Sequence, residues 1–164
     1  MINALYSTLT NTTLTKVNPA KFFYHMNFDG CSKGNPGLAG AGAVIYNDSH
    51  EEIWSGSLFV GKNITNNHSE YAGLILGLEQ AVQLNIKALI VRGDSQLIIN
   101  HMTGKYKCKN ENLLAYYTKA KNLERNFQKI QYLHVLREYN KRADELSNIP
   151  VQEFLTDYLL TNDK

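Results

Sequence analysis

The chain has 164 residues, 43% hydrophobic and 20% charged, with a formal net charge of +2. These are the proportions of an ordinary soluble protein, and no apolar run approaches the ~20 residues that a membrane-spanning helix needs. The only cysteines, Cys31 and Cys108, fit no metal-ligand or redox spacing, so free thiols in a reducing compartment are expected, cytoplasmic or beside nucleic acid in a nucleoid or nucleus. Charge is unevenly spread: residues 101–142 hold ten Lys or Arg against three Glu, a net +7, which leaves −5 for the rest. A basic half can neutralise phosphates while an acidic half gathers divalent cations, although a solvated lysine-rich helix face gives the same count.

Residues 1–20 are rich in Thr and Asn, contain no acid and lack periodicity; they read as a disordered arm. Transit peptides share that composition, but this segment has no Arg and only Lys16 before Lys21. Residues 21–150 read as a single domain, and 151–164 as a tail or short helix that packs Phe154, Tyr158 and Leu159 on the body.

Phe22, Tyr24, Met26 and Phe28 alternate with Phe23, His25 and Asn27, which predicts a strand covered on both faces and ending at Asp29. GNPG at 34–37 and AGAG at 39–42 read as a turn. Ala43–Tyr46 and Ile53–Val60, separated by Asn47-Asp48-Ser49-His50, predict an antiparallel hairpin. From Asn67 the period becomes 3.6, with Tyr71, Leu74, Ile75, Leu78 and Val82 on one stripe and Gly73 and Gly77 open to close approach by another element. Ala88–Val91 predicts a short buried strand, and Ser95 caps a helix running to about Met102. Tyr116, Ala120, Leu123 and Phe127 mark a further helix, Ile130–Leu136 a fifth strand, and Asn140 to about Asn148 the last helix. The fold class is α/β: a mixed five-stranded sheet, βββαβαβα, with helices on both faces.

Four acids end different elements: Asp29 strand one, Asp94 strand four, Glu70 the first turns of the long helix, and Asp144 the last helix. If strands one and four are parallel neighbours, their C-terminal ends share the crevice where open α/β sheets place their sites. Clustered carboxylates repel unless a cation or a proton neutralises them, and an oxygen-only donor set suits Mg²⁺ or Mn²⁺. Two such ions roughly 3.5 to 4 Å apart can activate a water and stabilise the leaving oxygen of an in-line phosphoryl displacement. Each acid alone also has a structural explanation, Asp29 as a turn residue, Glu70 and Asp144 near helix N-termini, and Asp94 before a cap.

Four blocks in order, FDGCSKGNPG (28–37), TNNHSEYAGLILGLE (65–79), RGDSQLI (92–98) and HVLREYNKRADELSN (134–148), resemble type 1 ribonuclease H. The resemblance implies the ribonuclease H-like fold and a metal-dependent endonuclease that cuts the RNA strand of RNA/DNA hybrids, leaving 5′-phosphate and 3′-hydroxyl ends. It implies that Asp29, Glu70, Asp94 and Asp144 are the catalytic metal ligands, with Mg²⁺ as cofactor and Mn²⁺ able to substitute. By the same carry-over, Asn35 and Thr65 bind a phosphate of the DNA strand, and Gly30, Cys31, Asn67 and Gln96 meet the hybrid's backbone and sugars.

The span from Ile99 to Leu113 is too short for the inserted basic helix of many bacterial members, so the chain looks like the archaeal and plant-type branch. Lys105, Tyr106 and Lys107, followed by Cys108 and Lys109, offer a substitute DNA-strand contact. For the mobile histidine that many members use near the site, the candidates are His134 and Arg137, with Arg137 favoured because it brings a fixed positive charge. No membrane partner is expected, and the expected state is a monomer. The alternatives are a catalytically silent nucleic-acid-binding module on the same fold, an integrase-like or exonuclease-like enzyme with the same carboxylates, and a small non-enzymatic α/β domain whose acids only cap helices.

Overall fold

The computed structural model describes residues 23–162, so the arm expected over 1–20 lies outside the described residues. The chain forms β1 (Tyr24–Lys33), β2 (Gly37–Tyr46), β3 (Glu52–Ile64), α1 (Asn66–Gln83), β4 (Ala88–Gly93), α2 (Gln96–Met102), α3 (Glu111–Glu124), β5 (Lys129–His134), a 3-10 turn (Arg137–Tyr139) and α4 (Lys141–Asn162). The sheet order is β3-β2-β1-β4-β5. β1, β2 and β3 form an antiparallel meander, and β1, β4 and β5 run parallel. The mixed five-stranded sheet is therefore as expected. The order βββαβαβα counts α2 and α3 as one helix; a loop of eight residues, with Gly104 at φ 75, separates them.

Period-2 alternation divides the sheet between two layers. Met26, Phe28, Ala43, Ile45, Leu89 and Val91 join Tyr71, Leu74 and Leu78 of α1, Ile98 of α2, and Leu113 and Ala120 of α3 in the main core. On the opposite face, α4 packs over β1, β2 and β3 through Ala143, Leu146, Ser147 and Val151. Burying a side chain such as Leu74 contributes roughly 1.5–3 kcal/mol. A Cβ added at Gly73 would strike the carbonyl of Asp29, and one added at Gly30 would strike the backbone of Ser69 and Glu70. These two glycines let α1 lie directly against β1 beside the acids.

Several strand boundaries differ from the sequence expectation: β4 runs on to Gly93, and β5 ends at His134 rather than Leu136, because the chain turns into the 3-10 segment Arg137–Tyr139. β1 continues past Asp29 to Lys33, and the turn is confined to residues 34–36 because 39–42 belong to β2. In AGAGA the glycines face α4, where a Cβ at Gly40 or Gly42 would collide with its backbone, while the alanines face the core. Small residues are thus selected by two close helices, a tertiary reason that strand propensity does not carry. β3 likewise runs to Ile64 rather than Val60.

The C-terminal segment is not a separate tail, since α4 continues through Pro150. Proline removes the hydrogen bond to the carbonyl four residues back. Here that carbonyl, Leu146 O, accepts from the Ser57 hydroxyl at 2.7 Å, so the helix continues without an orphaned acceptor. Phe154 stacks on Phe59 at 5.0 Å as expected of a packed residue. Tyr158 and Leu159 instead stay exposed.

Candidate active site

Asp29, Glu70, Asp94 and Asp144 line a single groove of about 230 Å³ together with Gly30, Cys31, Ser32, Lys33, Asn66, Arg137 and Asn148. Parallel pairing of β1 with β4 places Asn27 opposite Arg92, which brings the later residues Asp29 and Asp94 to the same end of the sheet. A larger groove of about 520 Å³ lies between β3, α1 and α3, but apart from the paired Glu79 and Lys119 and the Tyr116 phenol its walls carry no titratable group.

Two of the acids are held from behind. The Asp29 carboxylate accepts from the Gly30 amide at 2.8 Å. Asn140, 1% exposed, donates to Asp94 Oδ1 at 3.1 Å and to the Phe28 carbonyl at 2.9 Å, while its Oδ1 accepts from Asn27 at 3.0 Å. Ser95, whose hydroxyl oxygen caps α2, lies beside Glu70 and favours its charged form. Asp144 is more loosely placed: its partners are Arg137 at 3.5 Å and Asn148 at 3.4 Å, and the Arg137 side chain is 79% exposed.

Burial, followed by repulsion from Asp94, Glu70 and Asp144, pushes the Asp29 carboxyl up to about 8 against the hydrogen bond from Gly30. Burial and Asp94 raise Glu70 to about 7 against the Ser95 hydrogen bond. A divalent cation relieves this repulsion, and the donors are all hard oxygens, so the residues fit such an ion. Among the described residues no three acidic, His or Cys side chains converge on one point in these rotamers.

The other expected contacts are distributed around the groove. Gly30 and Cys31 line it, although the Cys31 thiol is turned back to donate to the Ser147 carbonyl at 3.2 Å. Asn35 accepts from the Asn66 amide at 3.0 Å, and Thr65 caps α1. Asn67 is half-buried near the start of α1 and Gln96 is exposed at the start of α2; neither lines the acidic groove. Lys105, Tyr106 and Lys107 are exposed on a loop pinned by the buried Cys108 and by the Tyr106 amide bonded to the Asn100 carbonyl. His134 closes β5 with Nε2 at 3.2 Å from the Asp94 carbonyl oxygen and does not line the groove, whereas Arg137 does. Sequence reasoning missed Asn140, Ser95 and Asn148 as supports. Asn140 stood within the NKRAD run, but only its position against Asp94 gives it a role.

A parallel β1–β4 pair whose C-terminal ends feed an acid-lined groove, on a sheet ordered β3-β2-β1-β4-β5, defines a ribonuclease H-like α/β domain. A family model described as reverse transcriptase-like matches residues 27–149. A bifunctional protein of Mycobacterium tuberculosis is 42% identical over 120 residues, covering 73% of this chain and 33% of that protein. Ribonuclease HI of Halobacterium salinarum is 36% identical over 124 residues, 76% of this chain and 62% of the relative; the crystal structure of RNase H1 from that archaeon superposes with TM-score 0.77 at 34% identity, over 80% of this chain and 98% of the other. LC11-RNase H1, solved in complex with an RNA/DNA hybrid, gives TM-score 0.76 at 33% identity over 80% and 99%. The chain belongs to the ribonuclease H family. The likeness to the halobacterial enzyme is consistent with the archaeal-type branch, and the family is metal-dependent. The chain spans about a third of the mycobacterial relative's length. Among the described residues no helix is long and apolar enough to cross a membrane.

Proposed function

We propose that the chain is an endoribonuclease that hydrolyses the RNA strand of RNA/DNA hybrids by two-metal-ion catalysis, leaving 5′-phosphate and 3′-hydroxyl ends. The observation that carries this reading is the meeting of Asp29, Glu70, Asp94 and Asp144 on one groove with Arg137 at its rim. The hybrid-bound relative at 33% identity supports the substrate. The four acids would hold Mg²⁺, with Mn²⁺ able to substitute, because both take oxygen ligands in compact sites. The chemistry such ions supply is activation of the attacking water and neutralisation of charge on the phosphate and leaving oxygen.

The rest is positional work by the chain. Asn140 fixes the orientation of Asp94, and the Gly30 amide fixes Asp29. Arg137 offers a fixed positive charge to the scissile phosphate once it releases Asp144. Asn35 spends its Oδ1 on the Asn66 amide, which leaves Nδ2 to donate outward to a DNA-strand phosphate. Gly30, Cys31, Thr65, Asn67 and Gln96 flank the hybrid's path, and the exposed Lys105, Tyr106 and Lys107 offer charge and a stacking ring to the DNA strand.

The test is cleavage of an end-labelled hybrid beside single-stranded RNA, double-stranded RNA and duplex DNA, with Mg²⁺, Mn²⁺ or EDTA. Internal cuts in the hybrid's RNA that EDTA abolishes are expected. Binding without metal-dependent cleavage would establish the silent-module alternative, and cutting of DNA alone would establish an integrase-like or exonuclease-like activity.

A further inference from the structure

The ring of His68 lies between two helices, and neither a metal role nor a catalytic one accounts for its contacts. Its Nδ1 is 2.5 Å from Thr65 Oγ1 and its Nε2 is 3.1 Å from the carbonyl oxygen of Asn112 in the first turn of α3. Tyr116, one turn along α3, meets the ring edge-on at 5.4 Å. A carbonyl oxygen can only accept, so Nε2 carries a proton, and in the neutral ring Nδ1 then presents a lone pair. In that form the Thr65 hydroxyl donates to Nδ1. Its oxygen accepts in turn from the His68 amide at 3.4 Å, which makes Thr65 at once cap and strut.

We propose that His68 is a positioning residue that ties the phosphate-binding end of α1 to the start of α3, and so to the Lys105–Lys109 loop immediately before it. This rests on the proposed hybrid-binding reading. Asn35 and Thr65 lie on one side of the joint: Asn35 Oδ1 holds the Asn66 amide next to Thr65. The lysines and Tyr106 lie on the other, a few residues before the Asn110 side chain that caps α3. Two separate DNA-strand contact regions thereby keep a fixed spacing, and the strand meets them as one surface. The hydroxyl proton of Thr65 is spent on His68, so the outward donor to the phosphate at this end is Asn35 Nδ2.

The test compares His68→Ala with two variants that each keep one bond: Asn reaches the Nδ1 position toward Thr65, and Gln reaches the Nε2 position toward Asn112. Hybrid affinity is read by fluorescence anisotropy in EDTA, so it does not depend on cleavage, and amide exchange of residues 105–113 is read on the free protein. The expected results are a rise in Kd of about five- to tenfold for His68→Ala, the worth of about two hydrogen bonds. Neither Asn nor Gln should restore the wild-type value, and amide protection in the 105–113 segment should fall. Turnover at saturating hybrid should change less than Kd. An unchanged Kd, full rescue by either single-bond variant, or lost exchange protection without lost affinity would each overturn the proposal. Wild-type protein that binds the hybrid yet never cuts it would count against the ribonuclease reading while leaving the ranking of the His68 variants intact as a test.

Discussion

The two sides of the acidic groove are built differently. On the sheet side, Asp29 and Asp94 are fixed by a backbone amide and by the buried Asn140, which also bridges Asn27 and Phe28. On the solvent side, Asp144 has only a long ion pair to an exposed Arg137 and a weak contact to Asn148. Rigid acids defined by buried neutral amides and a mobile pair governed by solvent-screened charge divide the work. On the proposed two-metal reading, the first would set where cations sit and the second would be free to reorganise when cations and phosphate arrive.

If the sheet side defines the metal positions, Asp29→Asn will lower turnover by more than the ~100-fold typical of losing an outer-shell partner, with the fold retained. Asn140→Ala comes next. It leaves Asp94 free to rotate and orphans the Asn27 amide and the Phe28 carbonyl, so activity should fall about 10- to 100-fold and stability by about 1–3 kcal/mol. Equal activity in Asn140→Ala and wild type would collapse the distinction between the two sides. On the solvent side, Arg137→Ala should lower turnover about tenfold by removing a charge from the phosphate, and more than His134→Ala does. Its melting temperature should barely move, since an exposed pair contributes about 1 kcal/mol at most. The reverse ranking of Arg137 and His134 would reassign the role.

The pH dependence sharpens the same contrast. Asp29 and Glu70 have folded-state values of about 8 and about 7, above their ordinary 3.8 and 4.5, so between these limits the folded state binds more protons than the unfolded. Their stabilising protonation is complete below the ordinary values and is lost as pH rises through 7 to 8. Metal-free protein should therefore melt at a lower temperature at pH 8.5 than at pH 5. Mg²⁺ should recover the difference, and Asp29→Asn should flatten it. A metal-free melting temperature that rises over this range would contradict the account. At the loop, replacing Lys105, Lys107 and Lys109 by Ala should leave turnover at saturating hybrid unchanged and reduce the salt dependence of hybrid binding by about two to three units of slope.

Much of this was legible in the sequence because it depends on local pattern. The strand alternation around Met26 and Phe28, the stripe Tyr71–Leu74–Leu78 and the acids at element ends required only periodicity and position. What escaped depends on contacts distant in sequence. AGAGA is a strand because two helices crowd it, and Pro150 sits inside a helix because Ser57, from β3, satisfies Leu146 O. Asn140 matters through Asp94 and Phe28, 46 and 112 residues away. Cys31 lines the groove as the resemblance implies, while its thiol donates to Ser147 O, a direction set by the nearness of α4 that no local pattern carries.

On the proposed reading, the groove of Asp29, Glu70, Asp94 and Asp144 cuts hybrid RNA with bound divalent cations. The most direct measurement follows end-labelled hybrid in Mg²⁺ with wild type and Asp94→Asn, each shown folded by its melting curve. Internal RNA cleavage by wild type, abolished by EDTA and absent in the variant, is expected. Cleavage by folded Asp94→Asn at the wild-type rate, or wild-type cleavage that persists in EDTA, would contradict that reading.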